Sequence, residues 1–165
     1  MAPYEPLIAE LERAIGDPHL GLPEPVFLFL SRIAPLVNVD LLIKDNGGRT
    51  LLTWRHDQHY GPGWHIPGGV IRYKETAADR IKAVAALELG AAVDFDPAPI
   101  RVLETISPDR DRAHAISLLY RCRFLTAPDP SLEARSNPQR AGAWRWHASA
   151  PADLLTVHRP YAEFF

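Results

Sequence analysis

Two glutamates and two glycines in the middle of the chain have the types and spacing expected of a cation-binding site. Five residues separate Gly69 from Glu75, twelve more separate Glu75 from Glu88, and Gly90 follows closely. A glycine lets the backbone approach a ligand, whereas the helix dipole disfavours a carboxylate near the end of a helix by about 0.3–1 kcal/mol. Glu88 is easier to explain there if it binds a hard divalent cation such as Mg²⁺, which prefers oxygen ligands.

An extended segment and a helix must position these residues. The alanine-rich segment Thr76–Leu89 is predicted to be a helix, which Glu75 or Thr76 caps and Gly90 ends in a left-handed conformation. The extended segment Trp64–Val70 leads into it. Four apolar residues of this helix are interpreted as packing residues: Ile81, Val84, Ala85 and Leu87.

The rest of the chain combines short strands with few helices. Helices are predicted at Pro6–Ile15, Pro23–Ala34, Ala150–Leu155 and Pro160–Phe165. Strands are predicted at Leu36–Ile43, Thr50–Trp54, Ile100–Ile106, His114–Leu125 and Ala143–His147. The turn sequence Asp45–Gly48 predicts that the first two of these strands form a hairpin. This mixture favours an α+β fold over a doubly wound parallel sheet.

Composition and charge narrow the functional class. The chain has 165 residues, 47% hydrophobic and 23% charged, as expected for one soluble domain. Its net charge of −2 provides no basic surface for nucleic acid. It has no apolar run long enough to span a membrane and no signal peptide pattern, so a cytoplasmic location is expected. The single cysteine, Cys122, excludes an internal disulfide and a Cys-rich zinc site.

The segment around Gly69 resembles the Nudix box and its lead-in strand. The resemblance rests on the lead-in Trp64–Gly68, on the spacing of Gly69 and Glu75, and on Glu88–Gly90. The family pattern also has an Arg-Glu pair and a further glutamate directly before the last one. This chain has Ala83-Val84 and Leu87 at those positions, so only part of the carboxylate set is present.

The likeness extends beyond the box to one branch of the Nudix hydrolase superfamily, the GDP-mannose mannosyl hydrolases. It is carried by Pro35–Asp40, Leu51–Arg55, Gly63–Gly69, Trp144–Trp146 and Val157–His158. It covers residues 34–165, which are predicted to form a Nudix hydrolase domain, whereas residues 1–33 are predicted to be an N-terminal helical extension. The resemblance implies the Nudix fold, a mixed β-sheet flanked by helices in an α/β/α sandwich.

The resemblance also implies a reaction and a set of residues. Enzymes of that branch attack the anomeric carbon of a nucleotide sugar with inversion, release a nucleoside diphosphate and the sugar, and form homodimers. By analogy, the Gly68 carbonyl, the Glu88 carboxylate and the Gln139 amide would hold Mg²⁺ or Mn²⁺. Arg55 would neutralise the departing diphosphate, and Asp40 matches an active-site aspartate.

Each of these assignments has a simpler alternative. Glu75 can cap the helix and order the loop without binding metal. Arg55 can end an exposed strand, Asp40 can lie on a solvated strand face, and Gln139 can be a solvated loop residue. For Glu88, the alternative is a solvated carboxylate at a helix end.

The general base is not identified by the resemblance. The branch has a histidine directly after the amide ligand, but this chain has Arg140, which cannot serve as a base at neutral pH. Four histidines are candidates: His56, His59, His65 and His114. Three functions therefore remain open: a metal-dependent hydrolase of a nucleotide sugar, a Nudix pyrophosphohydrolase that acts on phosphorus, and a catalytically silent nucleotide-binding or regulatory module.

Overall fold

A computed structural model describes residues 4–107, 114–135 and 140–165. Three α-helices are present in these ranges: α1 (Glu5–Ile15), α2 (Glu24–Ile33) and α3 (Ala77–Leu89). The described strands are β1 (Leu36–Ile43), β2 (Thr50–Arg55), β3 (Gly63–His65), β4 (Gly68–Val70), β5 (Val93–Phe95), β6 (Arg101–Ile106), β7 (His114–Phe124) and β8 (Trp144–His147). Short 3₁₀ helices span Pro18–Leu20, Pro130–Leu132 and Thr156–Phe164.

The strands form two sheets. The larger has the order β4-β1-β7-β5, with β6 also paired to β7, and the smaller has the order β3-β2-β8. The β1–β7 pair is parallel and the other pairs are antiparallel. The mixed sheet with flanking helices confirms the predicted α+β class.

The central strand β1 is buried on both faces. Because its side chains point alternately to one face and the other, they belong to two separate layers of the interior. Val39, Leu41 and Ile43 pack with α3 in one hydrophobic core. Leu42 packs on the opposite face with residues of the smaller sheet and of the C-terminal segment. Because side chains alternate along a strand, Asp40 shares the face of Leu42. This second layer contains the candidate site.

Helix α3 begins and ends where its local sequence predicts. Thr76 is the N-cap, and its hydroxyl oxygen accepts a hydrogen bond from the amide of Asp79 at 3.1 Å. Gly90 ends the helix with φ of 61°, a left-handed conformation that favours glycine. Val84 is buried, but Leu87 is 74% exposed, so the prediction that Leu87 packs in the core is wrong. Leu87 projects from a face of α3 that no described element covers.

Two other predictions are also wrong. The turn at Asp45–Gly48 forms, but β1 and β2 do not make a hairpin; they share one isolated bridge, Lys44 to Thr50, and belong to different sheets. The segment Ala150–Leu155 is a turn rather than a helix, because Leu154 bridges to Trp64 beside β3. In both cases pairing with a distant strand overrides the local preference.

The N-terminal helices lie outside the two cores. No residue of α1 is buried, and in α2 only Ser31 is. No described helix is long and apolar enough to cross a membrane. The division into an extension, residues 1–33, and a domain, residues 34–165, remains a proposal.

Candidate functional site

Glu88 lies at the end of α3, where it meets β2 and β4. Its Oε2 accepts a hydrogen bond from the Thr53 hydroxyl at 3.1 Å, and its Oε1 accepts one from the Gly68 amide at 3.3 Å. The side chain is 27% exposed. Burial raises the pKa of Glu88 from 4.5 to about 7, while the hydrogen bonds from Thr53 and Gly68 act in the opposite direction. The structure therefore holds this carboxyl group in surroundings where its charge lacks full solvation.

Thr53 connects Glu88 to a histidine. The His65 Nε2 lies 2.9 Å from Thr53 Oγ1 and 4.0 Å from Glu88 Oε2. When Glu88 is ionised its carboxylate can only accept, so the single hydroxyl hydrogen of Thr53 then goes to Glu88, and Thr53 Oγ1 accepts from the Nε2–H of His65. The order of donation is thus His65 to Thr53 to Glu88.

His65 is poorly suited to take a proton at neutral pH. Burial lowers the pKa of His65 to about 3, and the neighbouring His158 and Arg55 act in the same direction. A general base is most effective when its pKa is near the operating pH. The geometry and the pKa of His65 both fit a neutral residue that positions Thr53 and, through it, Glu88.

Asp40 lies deeper in the same layer. It is 4% exposed, and its Oδ2 accepts a hydrogen bond from the Tyr161 hydroxyl at 2.8 Å. Burial raises the pKa of Asp40, whereas His158 and the hydroxyls of Tyr161 and Ser117 partly offset that effect. Asp40 is therefore a buried, hydrogen-bonded group and not a residue of a solvated strand face.

His158 comes from the C-terminal 3₁₀ helix. Its Nδ1 accepts a hydrogen bond from the Ile66 amide at 2.9 Å, so the neutral ring carries its hydrogen on Nε2. Its ring centroid lies 5.7 Å from that of His65 and 5.7 Å from that of Tyr161. Burial lowers the pKa of His158, although Asp40 opposes this shift. His158 thus provides a neutral N–H donor between the Glu88 and Asp40 regions.

Arg55 lies at the end of β2 and lines a cavity. Its Nε donates to Asp57 Oδ2 at 2.5 Å, and its guanidinium carbon lies 4.5 Å from the centre of the Tyr60 ring. Asp57 also accepts hydrogen bonds from the amides of His59 and Tyr60, at 2.7 Å and 2.8 Å, which fold the loop back on Arg55. Polar residues of this cavity include Asn38, Arg55, His65, Thr105, Ser117 and His158.

Glu75 makes its contacts within the turn before α3. Its Oε2 accepts from the Arg72 amide and from Arg80 Nε, both at 2.8 Å. Arg80 is 6% exposed, and its Nη2 lies 2.7 Å from the same carboxylate oxygen. Glu75 thereby closes the turn and pairs with a buried arginine.

Two glycines permit close packing of β4. A Cβ at Gly68 would lie 2.3 Å from Asp40 Oδ1 and 2.8 Å from the Val39 carbonyl oxygen. A Cβ at Gly69 would lie 3.0 Å from Val84 Cγ2. Since real Cβ atoms do not approach other atoms as closely as 2.3 Å, a side chain at Gly68 would displace β4 from β1 and move the Gly68 backbone away from Glu88.

The donor set fits a cation that is bound by a single carboxylate. Glu88 receives hydrogen bonds from neutral donors and makes no ion pair with a described lysine or arginine. Within the described ranges, no three or more His, Cys, Asp or Glu residues form a cluster that could hold a metal. A hard divalent ion at Glu88 would therefore need backbone oxygens, water and substrate oxygens as its other ligands.

The structure brings together some of the predicted residues and separates others. Among the candidate histidines, only His65 lies beside Glu88; His114 pairs with Glu104 at 3.0 Å, and His56 and His59 belong to the loop after β2. Gln139 falls outside the described residues.

Three site residues escaped the sequence reasoning. Thr53 is two positions before Arg55, so strand alternation places the two side chains on the same side of β2. The sequence could therefore have indicated Thr53 as a neighbour of the site. His158 belongs to a fragment that carries the family resemblance, but no role was assigned to it, and Tyr161 gave no local signal; they contact Ile66 and Asp40 across 92 and 121 residues of sequence.

Comparison with known proteins gives a consistent picture. The family model described as the NUDIX domain matches residues 34–165. A curated relative, the low-salt glycan biosynthesis protein Agl8 of Haloferax volcanii, is 32% identical over 89 residues, which is 54% of this chain and 56% of the relative. The chain thus spans about half the length of that relative.

Solved structures show the same fold. The MutT NUDIX hydrolase from Burkholderia pseudomallei has a TM-score of 0.63 at 24% identity, over 79% of this chain and 97% of that one. The MutT protein from Methanosarcina mazei Go1 has a TM-score of 0.61 at 16% identity, over 78% and 91%. A UDP-X diphosphatase has a TM-score of 0.57 at 18% identity, over 96% and 73%. At these identities the likeness establishes the fold and not the substrate.

Proposed function

Because the chain belongs to the NUDIX family, we propose that it is a metal-dependent hydrolase of a nucleoside diphosphate derivative, specifically a nucleotide sugar of the GDP-mannose type. The products are a nucleoside diphosphate and the free sugar. The observation that carries the proposal is the position of Glu88, a largely buried carboxylate with neutral hydrogen-bond donors, close to Arg55 and Asp40. The similarity to a glycan biosynthesis protein supports a sugar-containing substrate.

The residues would divide the work as follows. Glu88, the Gly68 carbonyl and the Gln139 amide would hold Mg²⁺ or Mn²⁺, which when bound neutralises charge on the diphosphate. Arg55 provides a permanent positive charge in the cavity, where it can bind a phosphate oxygen of the leaving group. Asp40 lies in the same layer and contacts Gly68, which suits a role beside the reacting sugar.

The carboxylate count favours attack at carbon over attack at phosphorus. Water adds to the anomeric carbon, the bond from that carbon to the diphosphate oxygen breaks, and the proton that the water loses passes to the departing diphosphate or to solvent. The diphosphate then leaves as a dianion or trianion, which a single cation and Arg55 can neutralise. Attack at phosphorus uses a more highly charged site, whereas Val84 and Leu87 occupy two positions where the family pattern has glutamates.

A second candidate, a silent nucleotide-binding module, is favoured by the same lack of carboxylates. The experiment that separates the two is a turnover screen over nucleotide sugars and nucleoside triphosphates with and without Mg²⁺. Wild type, Glu88→Gln and the exposed control Glu10→Gln are compared, and released sugar and released phosphate are measured separately. We expect wild type to release sugar only when metal is present. Glu88→Gln should abolish this release, and Glu10→Gln should retain it.

Each other outcome of this screen contradicts part of the proposal. Release of phosphate or of a nucleoside monophosphate in place of sugar would assign the attack to phosphorus. Binding of nucleotides without any turnover would establish the silent module. Sugar release that does not depend on Glu88 would remove this residue from the site.

A further inference from the structure

The cavity beside Arg55 has a polar wall that the proposed set of catalytic residues does not explain. This wall is formed by Asn38 of β1, Ser117 of β7 and Thr105 of β6, which all line the cavity. Resting on the proposed function, we infer that this wall is the subsite for the sugar of the substrate and that Asn38 determines which sugar is accepted.

The wall follows from the register of three neighbouring strands. Asn38 pairs with Ser117 across β1 and β7, and Thr105 pairs with Ala115 across β6 and β7. Since Ala115 and Ser117 are two positions apart, these side chains share one face of the sheet. Further along the same face, Leu42, Leu119 and Leu103 pack in an apolar core. The face therefore changes from apolar to polar where the cavity begins.

Asn38 has hydrogen-bonding capacity that the described protein does not use. Its Nδ2 donates to Ser117 Oγ at 3.4 Å, while its Oδ1 is buried and has no hydrogen-bond partner among the described residues. The second hydrogen of Asn38 Nδ2 has no acceptor among the described residues, and a hydroxyl group of a ligand in the cavity could accept it.

The remaining wall residues suit the same chemistry. Ser117 and Thr105 offer hydroxyls, and His158 offers its Nε2–H because Nδ1 is bonded to the Ile66 amide. Arg55 is the charged residue among those that line the cavity, and the other polar lining residues are neutral. A substrate with one anionic end and one uncharged, polyhydroxylated end matches this distribution, with the diphosphate at Arg55 and the sugar at Asn38.

The wall also adjoins the proposed reaction centre. The Ser117 hydroxyl interacts with the Asp40 carboxyl, which in turn contacts Gly68. A sugar held at Asn38 and Ser117 would thus lie beside Asp40. A nucleobase fits less well, because base recognition commonly uses an aromatic platform, and Tyr60, which lines the cavity, is already stacked on Arg55.

The test measures sugar discrimination separately from nucleotide binding. The ratio of kcat/KM for GDP-mannose and its epimer GDP-glucose is determined with wild type, Asn38→Ala and Thr105→Val. The inhibition constant of GDP is measured for each protein. The control Asn46→Ala makes the same substitution in an exposed turn. Asn38→Ala is expected to reduce the ratio about tenfold and to leave inhibition by GDP unchanged.

Different failures have different meanings. An unchanged ratio in both Asn38→Ala and Thr105→Val would overturn the assignment of the wall to the sugar, and the hydrolase function would stand. If Asn38→Ala weakened inhibition by GDP and lowered kcat/KM for both nucleotide sugars by the same factor, the assignment would also be overturned. That result would place the nucleoside in the cavity. Absence of nucleotide sugar turnover in wild type would instead refute the proposed function on which the inference rests.

Discussion

The raised pKa of Glu88 makes a prediction about stability that does not require knowledge of the substrate. Glu88→Gln replaces an ionisable group by a neutral one of similar shape in surroundings that disfavour charge. In the metal-free protein, we expect this variant to lose less stability than wild type as the pH rises from 4 to 8. The cause is the incomplete solvation of the Glu88 carboxylate.

The sign and size follow from proton linkage. Between pH 4.5 and about 7 the native state holds the Glu88 proton more tightly than the unfolded chain does. The free energy of unfolding of wild type therefore falls as pH rises through this window, and the full cost is present above about pH 7. A pKa moved from 4.5 to about 7 corresponds to about 3 kcal/mol. Because the side chain is 27% exposed, about 2–3 kcal/mol is expected.

Urea unfolding in the presence of EDTA measures this effect. The free energies of unfolding of wild type and Glu88→Gln are determined at several pH values from 4 to 8, and their difference is followed. Because only the change of this difference with pH is interpreted, the pH-independent effect of replacing the carboxyl group by an amide cancels. Glu10→Gln, on the exposed surface of α1, controls for the loss of a carboxylate as such.

Two results would refute the reasoning. A constant difference between the variant and wild type across the pH range would mean that Glu88 ionises without a penalty and is well solvated. A difference that changes with the opposite sign would mean that the native state favours the carboxylate even without metal. Addition of Mg²⁺ at pH 8 should stabilise wild type and leave Glu88→Gln unaffected if Glu88 is a ligand.

Three further predictions concern neighbouring groups. Thr53→Val removes a donor to Glu88 and should weaken Mn²⁺ binding, measured by electron paramagnetic resonance, about tenfold; unchanged affinity would show that Thr53 does not position Glu88. Tyr161→Phe removes one of the two hydroxyl groups that stabilise the buried Asp40 and should lower the free energy of unfolding by about 1–3 kcal/mol in urea titrations. Cys122 is 2% exposed, and burial raises its pKa to about 12, so a thiol reagent should label it only after unfolding.

Matched substitutions make the first two of these measurements specific. Thr156→Val changes an exposed threonine at the start of the last 3₁₀ helix and should not alter Mn²⁺ affinity. Tyr4→Phe changes a tyrosine that is 69% exposed and should not alter stability. A similar effect in either control would show that the corresponding variant acts through a general property of the protein.

The parts of the fold that were predictable from the sequence are those with local causes. The apolar run Leu36–Ile43 predicted β1 with correct bounds. The bounds of α3 followed from the cap at Thr76 and from Gly90. These elements were predictable because the residues that specify each one lie within it or within a few positions of its ends.

The errors arise where distant pairing decides the structure. The turn after β1 has hairpin chemistry, yet β2 pairs with β3 and β8 instead of β1. The site was predictable to a similar degree: the resemblance pointed to Glu88, Asp40 and Arg55, but their roles remain proposals. The Thr53 link to His65 and Glu88 depends on the meeting of three separate elements, and no periodicity in the sequence indicates it.

The packing of Val84 accounts for a proposed metal site in which α3 contributes one carboxylate. Its Cγ2 would lie 3.0 Å from a Cβ at Gly69, so helix and strand are in close contact where the family pattern has a glutamate. Val84 is 3% exposed, and a glutamate there would bury a second charge about one helical turn from Glu88. Apolar packing at Val84 therefore leaves Glu88 as the single carboxylate that α3 contributes to the proposed metal site. A cation held in the proposed site by so few protein ligands would complete its coordination with water and with oxygens of the substrate, so the substrate would tighten its binding.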